Sequence, residues 1–143
     1  SSWTNIPQTF PSAPKTNTFS TAGIQTACIS AGPGTDSLEW NGSTWTSTNN
    51  LATASNSGVH SGTVSGSVLS GGGPGYQAHI QTWDGTNWSN SPLTLSTGRS
   101  QSTEAGTATA SYIAGGADGS PTNSAATEEF NAAVVATKTL TTG

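Results

Sequence analysis

The sequence predicts an all-β fold, a β-propeller of four-stranded antiparallel blades with three blades per chain, and three observations carry that prediction. Trp40-Asn41-Gly42-Ser43-Thr44-Trp45 returns 43 residues later as Trp83-Asp84-Gly85-Thr86-Asn87-Trp88, and Phe130-Asn131 begins a decayed third copy 47 residues further on. A period in the forties built from strand-and-turn units is the sequence sign of a propeller. Before each copy stands a run of small residues closed by glycine: Ile24 to Pro33, Thr63 to Gly72 and Thr107 to Gly116. Small side chains let neighbouring backbones come close, as strands near a crowded axis must. Finally, no stretch carries a sustained apolar repeat of helical period. The alanine-rich segment from Ala125 to Ala136 comes nearest, and Thr127 splits it.

Each element follows from local chemistry. Asn-Gly and Asp-Gly favour tight hairpin turns, so each copy of the motif is a hairpin tip. With Asn41 and Gly42 as a two-residue loop, Trp40 falls opposite Ser43 and Leu38 opposite Trp45. Leu38, Trp40 and Trp45 then share one face of the hairpin, as do Gln81, Trp83 and Trp88. One side of such a sheet is bulky and the other flat, so the sheets are expected to stack bulky side onto flat side. Polar loops after the glycines span Gly34 to Asp36, Gly73 to Gly75 and Ala117 to Asn123; the third strands are Ser37 to Trp40, Tyr76 to Trp83 and Ser124 to Phe130. Trp3-Thr4 precedes Trp45-Thr46 by 42 residues and Trp88-Ser89 by a further 43, so residues 1–8 are expected to form an extra outer strand; residues 134–139 compete with them for the outer place of the third unit. The whole chain, 1–143, is then one propeller segment, with repeats at about 9–48, 49–91 and 92–143.

Composition narrows the functions. Only 7% of residues are charged and the net charge is −4, while Ser and Thr make up about a third of the chain. Five tryptophans supply the bulk that a flexible linker lacks. Lys15, Arg99 and Lys138 are too few to grip a phosphate backbone, which argues against nucleic acid. No run of 18 apolar residues offers a membrane span. The lone Cys28, in Ala27-Cys28-Ile29, forms no internal disulfide and reads as a small buried hydrophobe. Ser1 stands where a methionine would, and no signal peptide is visible, so a processed or excised segment is expected.

No catalytic set emerges. His60 and His79 lie in predicted strands without a matching acid, and the seven carboxylates are scattered, so neither a nucleophile–base pair nor a metal cluster is expected. The expected protein is not an enzyme and needs no cofactor. Trp45, Trp88, Arg99 and Asp118 remain as candidate ligand-binding residues. Tyr112 and the tryptophans are core residues by default, with sugar stacking by Trp45 or Trp88 the lesser reading; Arg99 is the single arginine, and Asp118 sits in the longest loop.

The glycine pairs followed by spaced aromatics resemble the kelch repeat. The matching residues are Gly72-Gly73, Trp83 and Trp88 in the second unit, and Gly115-Gly116 with Phe130 in the third. The first unit keeps Gly32 beside Ala31, with Trp40 and Trp45. The spacing is closer to the compact kelch-like repeats of bacterial and phage surface or virion proteins. That resemblance implies a propeller blade and a place outside the cell or on a virion, and implies no particular ligand. Trp83-Asp84-Gly85 with Trp88 is also similar to segments of fucose-binding lectin propellers, which implies carbohydrate as an alternative ligand. The arginine and glutamate that clamp sugar in those lectins have no counterparts in register here. Propellers close with about four to eight blades. Three blades leave two open sheet faces, so a second copy is the expected partner, two chains giving six blades. A half-propeller excised or engineered from a larger ring fits the same observations.

Overall fold

A computed structural model describes residues 2–11 and 19–132. Among these residues are eleven strands: β1 (Ser20–Ile24), β2 (Ala27–Ala31), β3 (Ser37–Trp40), β4 (Trp45–Ser47), β5 (Val59–Thr63), β6 (Gly66–Ser70), β7 (His79–Trp83), β8 (Trp88–Thr94), β9 (Thr103–Gly106), β10 (Ala110–Ala114) and β11 (Thr127–Asn131). They form three antiparallel sheets in sequence order, β1 to β4, β5 to β8, and β9 to β11. Of the two candidates for the fourth strand of the third sheet, residues 134–139 lie outside those described. β5 packs between β1 on one side and β9 on the other, so the first strands of the sheets line up along a common centre. The arrangement is all-β and propeller-like.

Register fixes which face each residue occupies, because residues directly opposite share a face. Trp83 pairs with Ser67 on one side and Trp88 on the other. His60, Leu69, Gln81, Trp83 and Trp88 therefore form one face of the second sheet, and Val68, Ser70 and Ile80 the other. The bulky face packs on the first sheet: Trp83, Trp88 and Leu69 meet Ala22, Ile29, Ala31 and Leu51. The flat face receives the third sheet, where Val68, Ile80 and Leu95 meet Ile113 and Phe130. Bulky-on-flat stacking thus occurs twice within the chain. Each contact removes large apolar side chains from water at roughly 25 cal/mol per Å².

Three features differ from the sequence reading. The hairpin tips have four loop residues, not two: Trp40 lies directly opposite Trp45, and Trp83 opposite Trp88. The cause is the side chain at the first loop position. Asn41 Oδ1 accepts from the backbone N–H groups of Ser43 and Thr44 at 3.0 and 2.9 Å, and Asp84 Oδ1 from those of Thr86 and Asn87 at 2.8 and 2.7 Å. This Asx geometry holds the turn, so only Gly42 and Gly85 take positive φ, 91° and 94°. The first indole of each tip also closes the neighbouring turn: Trp40 Nε1 donates to Gln25 O at 2.9 Å and Trp83 Nε1 to Val64 O at 2.8 Å.

The second difference is the glycine pair of the middle sheet. Gly115 and Gly116 have φ of 65° and 100°; their conformational match is Gly71 and Gly72, at 66° and 103°, one residue before the expected Gly72-Gly73. Gly73 instead exchanges backbone hydrogen bonds with Asn56. The third point concerns the N-terminal segment. Residues 2–8 pair with none of the described strands and Trp3 is fully exposed, while Phe10 packs edge-on against Trp45 with centroids 4.7 Å apart.

Candidate functional site

The expected ligand residues are not gathered at one place. Trp88 is 6% exposed, with its Nε1 donating to Ser37 Oγ at 3.0 Å, so its ring is committed to holding two sheets together. Trp45 lies at the outer face of the first sheet beneath Phe10. Arg99 is 1% exposed and acts as a structural tie. Its Nη1 donates to Ala126 O at 3.0 Å, its Nε to Thr97 O at 3.3 Å, and its Nη2 pairs with Glu128. Glu128 in turn accepts from the Ser96 backbone N–H at 2.6 Å, so one ion pair stitches the loop after β8 to β11. Asp118 accepts from Ser120 within its own loop, and these hydrogen bonds hold its carboxyl below the usual carboxylate range. Asp84, bonded to its turn, is lowered for the same reason.

A concave site lies elsewhere, between the second and third sheets. A cleft of about 250 Å³ is walled by Ile80 and Leu95 on one side and Ile113 and Phe130 on the other, with Glu104 at its inner end. Glu104 Oε1 accepts from Ser61, Ser70 and Ser111 hydroxyls at 3.1, 3.2 and 3.2 Å. Two of those serines belong to the second sheet and one to the third, so the carboxyl bridges them. Its other oxygen, Oε2, is buried without a partner. Burial, opposed by the serine hydrogen bonds, pushes the carboxyl up to about 7. Neutral pH therefore divides Glu104 between its acid and carboxylate forms.

His60 is the counterpart of Glu104 in the second sheet. Gly62 and Gly106, two residues after each, pair with Ser67 and Ser111 in the same register. His60 Nε2 lies 2.8 Å from Ser67 Oγ and its Nδ1 3.3 Å from Ser20 O in the first sheet, so it too bridges neighbours. Fully enclosed, the imidazole is lowered to about 4 and stays neutral. Among the described residues no group of three or more His, Cys, Asp and Glu side chains could hold a metal ion.

Sequence reasoning passed over Glu104, and also Gly23, Gly62 and Gly106, which recur near the ends of the innermost strands with φ of 130°, 110° and 136°. A Cβ on Gly62 would lie 2.5 Å from Gly66 O, so the close approach admits no side chain. Their spacings of 39 and 44 residues carry the same repeat as the tryptophans and offered the missing signal.

No family model matches the chain, and no curated protein matches it. Among solved structures, one described as "Structure of YjhT" is similar, with a TM-score of 0.58 at 14% identity over 76% of this chain and 41% of that one. The chain thus spans about two fifths of that structure's length. At this identity the likeness carries the fold alone: an all-β architecture of successive antiparallel sheets.

Proposed function

We propose that the chain is half of a six-bladed ring, a non-enzymatic binding scaffold that a second copy completes and that works through its loop faces. One observation carries the reading. Bulky-on-flat packing satisfies both internal junctions, and the flat face of the third sheet, with Tyr112 47% exposed beside Ala110 and Ala105, has no partner within the described chain. The opposite end of the stack is the bulky face of the first sheet, where Leu38 and Trp40 are already buried and Phe10 rests on Trp45. One end is thus bulky and the other flat, as at the junctions within the chain. The exposed Tyr112 side invites association, and a ring of copies would cover it.

Light scattering over a hundredfold concentration range tests this. The scaffold reading expects a mass of twice 14.2 kDa, and substitution of Tyr112 by Arg should shift the distribution toward single chains. A single-chain mass throughout would refute it.

A further inference from the structure

The cleft between the second and third sheets is the place that Trp88 fills one junction earlier. Trp88 lies among Ala31, Ser37 and Leu51 of the first sheet and its trailing loop, and His60, Leu69 and Trp83 of its own sheet. Moving each wall forward by one sheet in strand register gives Ser70, Ile80 and Leu95, then Glu104, Ile113 and Phe130. All six line the cleft. Both junctions therefore share one design, and in the second the aromatic at its centre is missing from the described residues. An engineered void of about 150 Å³ accepts benzene, so about 250 Å³ gives room for a larger ring.

We propose that this slot receives Trp3 of a second copy, whose residues 2–8 add as the fourth strand along the outer edge of β11. The inference rests on the two-copy ring proposed above and names how its halves interlock. From Trp45 to the first strand of the next sheet is 14 residues, and from Trp88 it is 15; from Trp3 to β1 it is 17. Trp3 thus stands where the last strand of a preceding sheet should begin. In the two-copy ring proposed above, that sheet is the partner's third.

Phe10 agrees with this placement. Leu51 follows Trp45 by six residues and packs in the Trp88 slot; Leu95 follows Trp88 by seven and lines the cleft. Phe10 follows Trp3 by seven and already rests on Trp45. The segment is thus seated at its far end, with Trp3 left in solvent. The slot also ends in a buried polar atom, Glu104 Oε2, that has no partner among the described residues. In the sequence the position five residues after Phe130 is Val135, too small to replace an indole.

Register makes the test specific. If Trp3 faces Phe130 as Trp88 faces Trp83, Thr4 faces Glu129 as Ser89 faces Thr82. Thr4 and Glu129 are both exposed, so cysteines there should leave folding intact. In a Cys28→Ala background, chains carrying Thr4→Cys and differently tagged chains carrying Glu129→Cys are mixed, dissociated, reassociated and treated with diamide. The interlocked ring predicts a mixed disulfide about tenfold above that formed with Glu39→Cys chains, whose edge β4 already covers, since pairing raises the local concentration. Equal cross-linking to both partners overturns the proposal. So does an internal disulfide in a single chain carrying Glu129→Cys and Ala136→Cys, which would assign the edge to residues 134–139. A two-chain mass without the mixed disulfide removes the interlock and leaves the ring; a single-chain mass removes both.

Discussion

Replacing Glu104 by Gln should reverse the dependence of stability on pH. In the folded chain Glu104 titrates at about 7 against an ordinary carboxyl value of 4.5, because burial disfavours its charge more than three serine hydroxyls favour it. The fold holds this proton more tightly than the unfolded chain does, so the contribution is fully present below pH 4.5 and is lost as pH rises through 7. At 1.36 kcal/mol per pH unit the loss is about 3 kcal/mol. His60 acts in the opposite sense. Its folded value of about 4 lies below the ordinary 6.5, so its contribution is present above pH 6.5 and is lost as pH falls toward 4. That loss is also about 3 kcal/mol. Half-buried His79, likewise lowered by burial, adds in the same direction as His60.

Between pH 4.5 and 6.5 the Glu104 and His60 effects oppose one another, and the parent chain should show a nearly flat profile. Glu104→Gln keeps the serine contacts but cannot ionise. Its stability should climb by about 3 kcal/mol between pH 4 and 6.5, then stay level to pH 8 where the parent declines. Urea unfolding at fixed protein concentration measures this, in a Trp3→Ala background so that the cleft stays open. Parallel profiles for the two chains would refute the assignment of Glu104 as a buried, bridging acid.

Other consequences are simpler to read. Trp88→Ala should cost about 3–5 kcal/mol by urea unfolding, since it empties the junction between the first two sheets, while Trp3→Ala should leave single-chain stability unchanged. Arg99→Ala should cost a similar 3–5 kcal/mol by stranding Glu128, and Arg99→Lys should recover only part, because one ammonium cannot serve Thr97, Ala126 and Glu128 together. Gly62→Ala should destabilise more than Gly75→Ala: both glycines have positive φ, but a Cβ at Gly62 strikes Gly66 O while one at Gly75 meets open space.

Much of the fold was legible in the sequence because its repeat is built from residues with few alternatives. The tryptophan pairs marked the third and fourth strands, and the shared face of Leu38, Trp40 and Trp45 survived even though the loop between them was misjudged. That error has a clear origin. Asn-Gly signals a positive-φ pair, whereas here Asn41 works through its side-chain oxygen, and a dipeptide cannot say which. The site was less legible. Arg99 looked like a free cation because its partners, Ala126 and Glu128, are 27 and 29 residues away. Glu104 looked like a scattered acid because its three serines come from three strands in two sheets. Trp88 reads as a core residue from the sequence, but its partner Ser37, 51 residues earlier, which holds its indole nitrogen, could not be read there. In each case the meaning of the residue lies in sheet-to-sheet packing, which leaves no local pattern.

Imaging the assembled particle by electron cryomicroscopy tests the central claim most directly. Closed rings of six sheets around one axis, each blade four strands wide, are the predicted result. Open arcs of three sheets, or closure with any other number of blades, would contradict it.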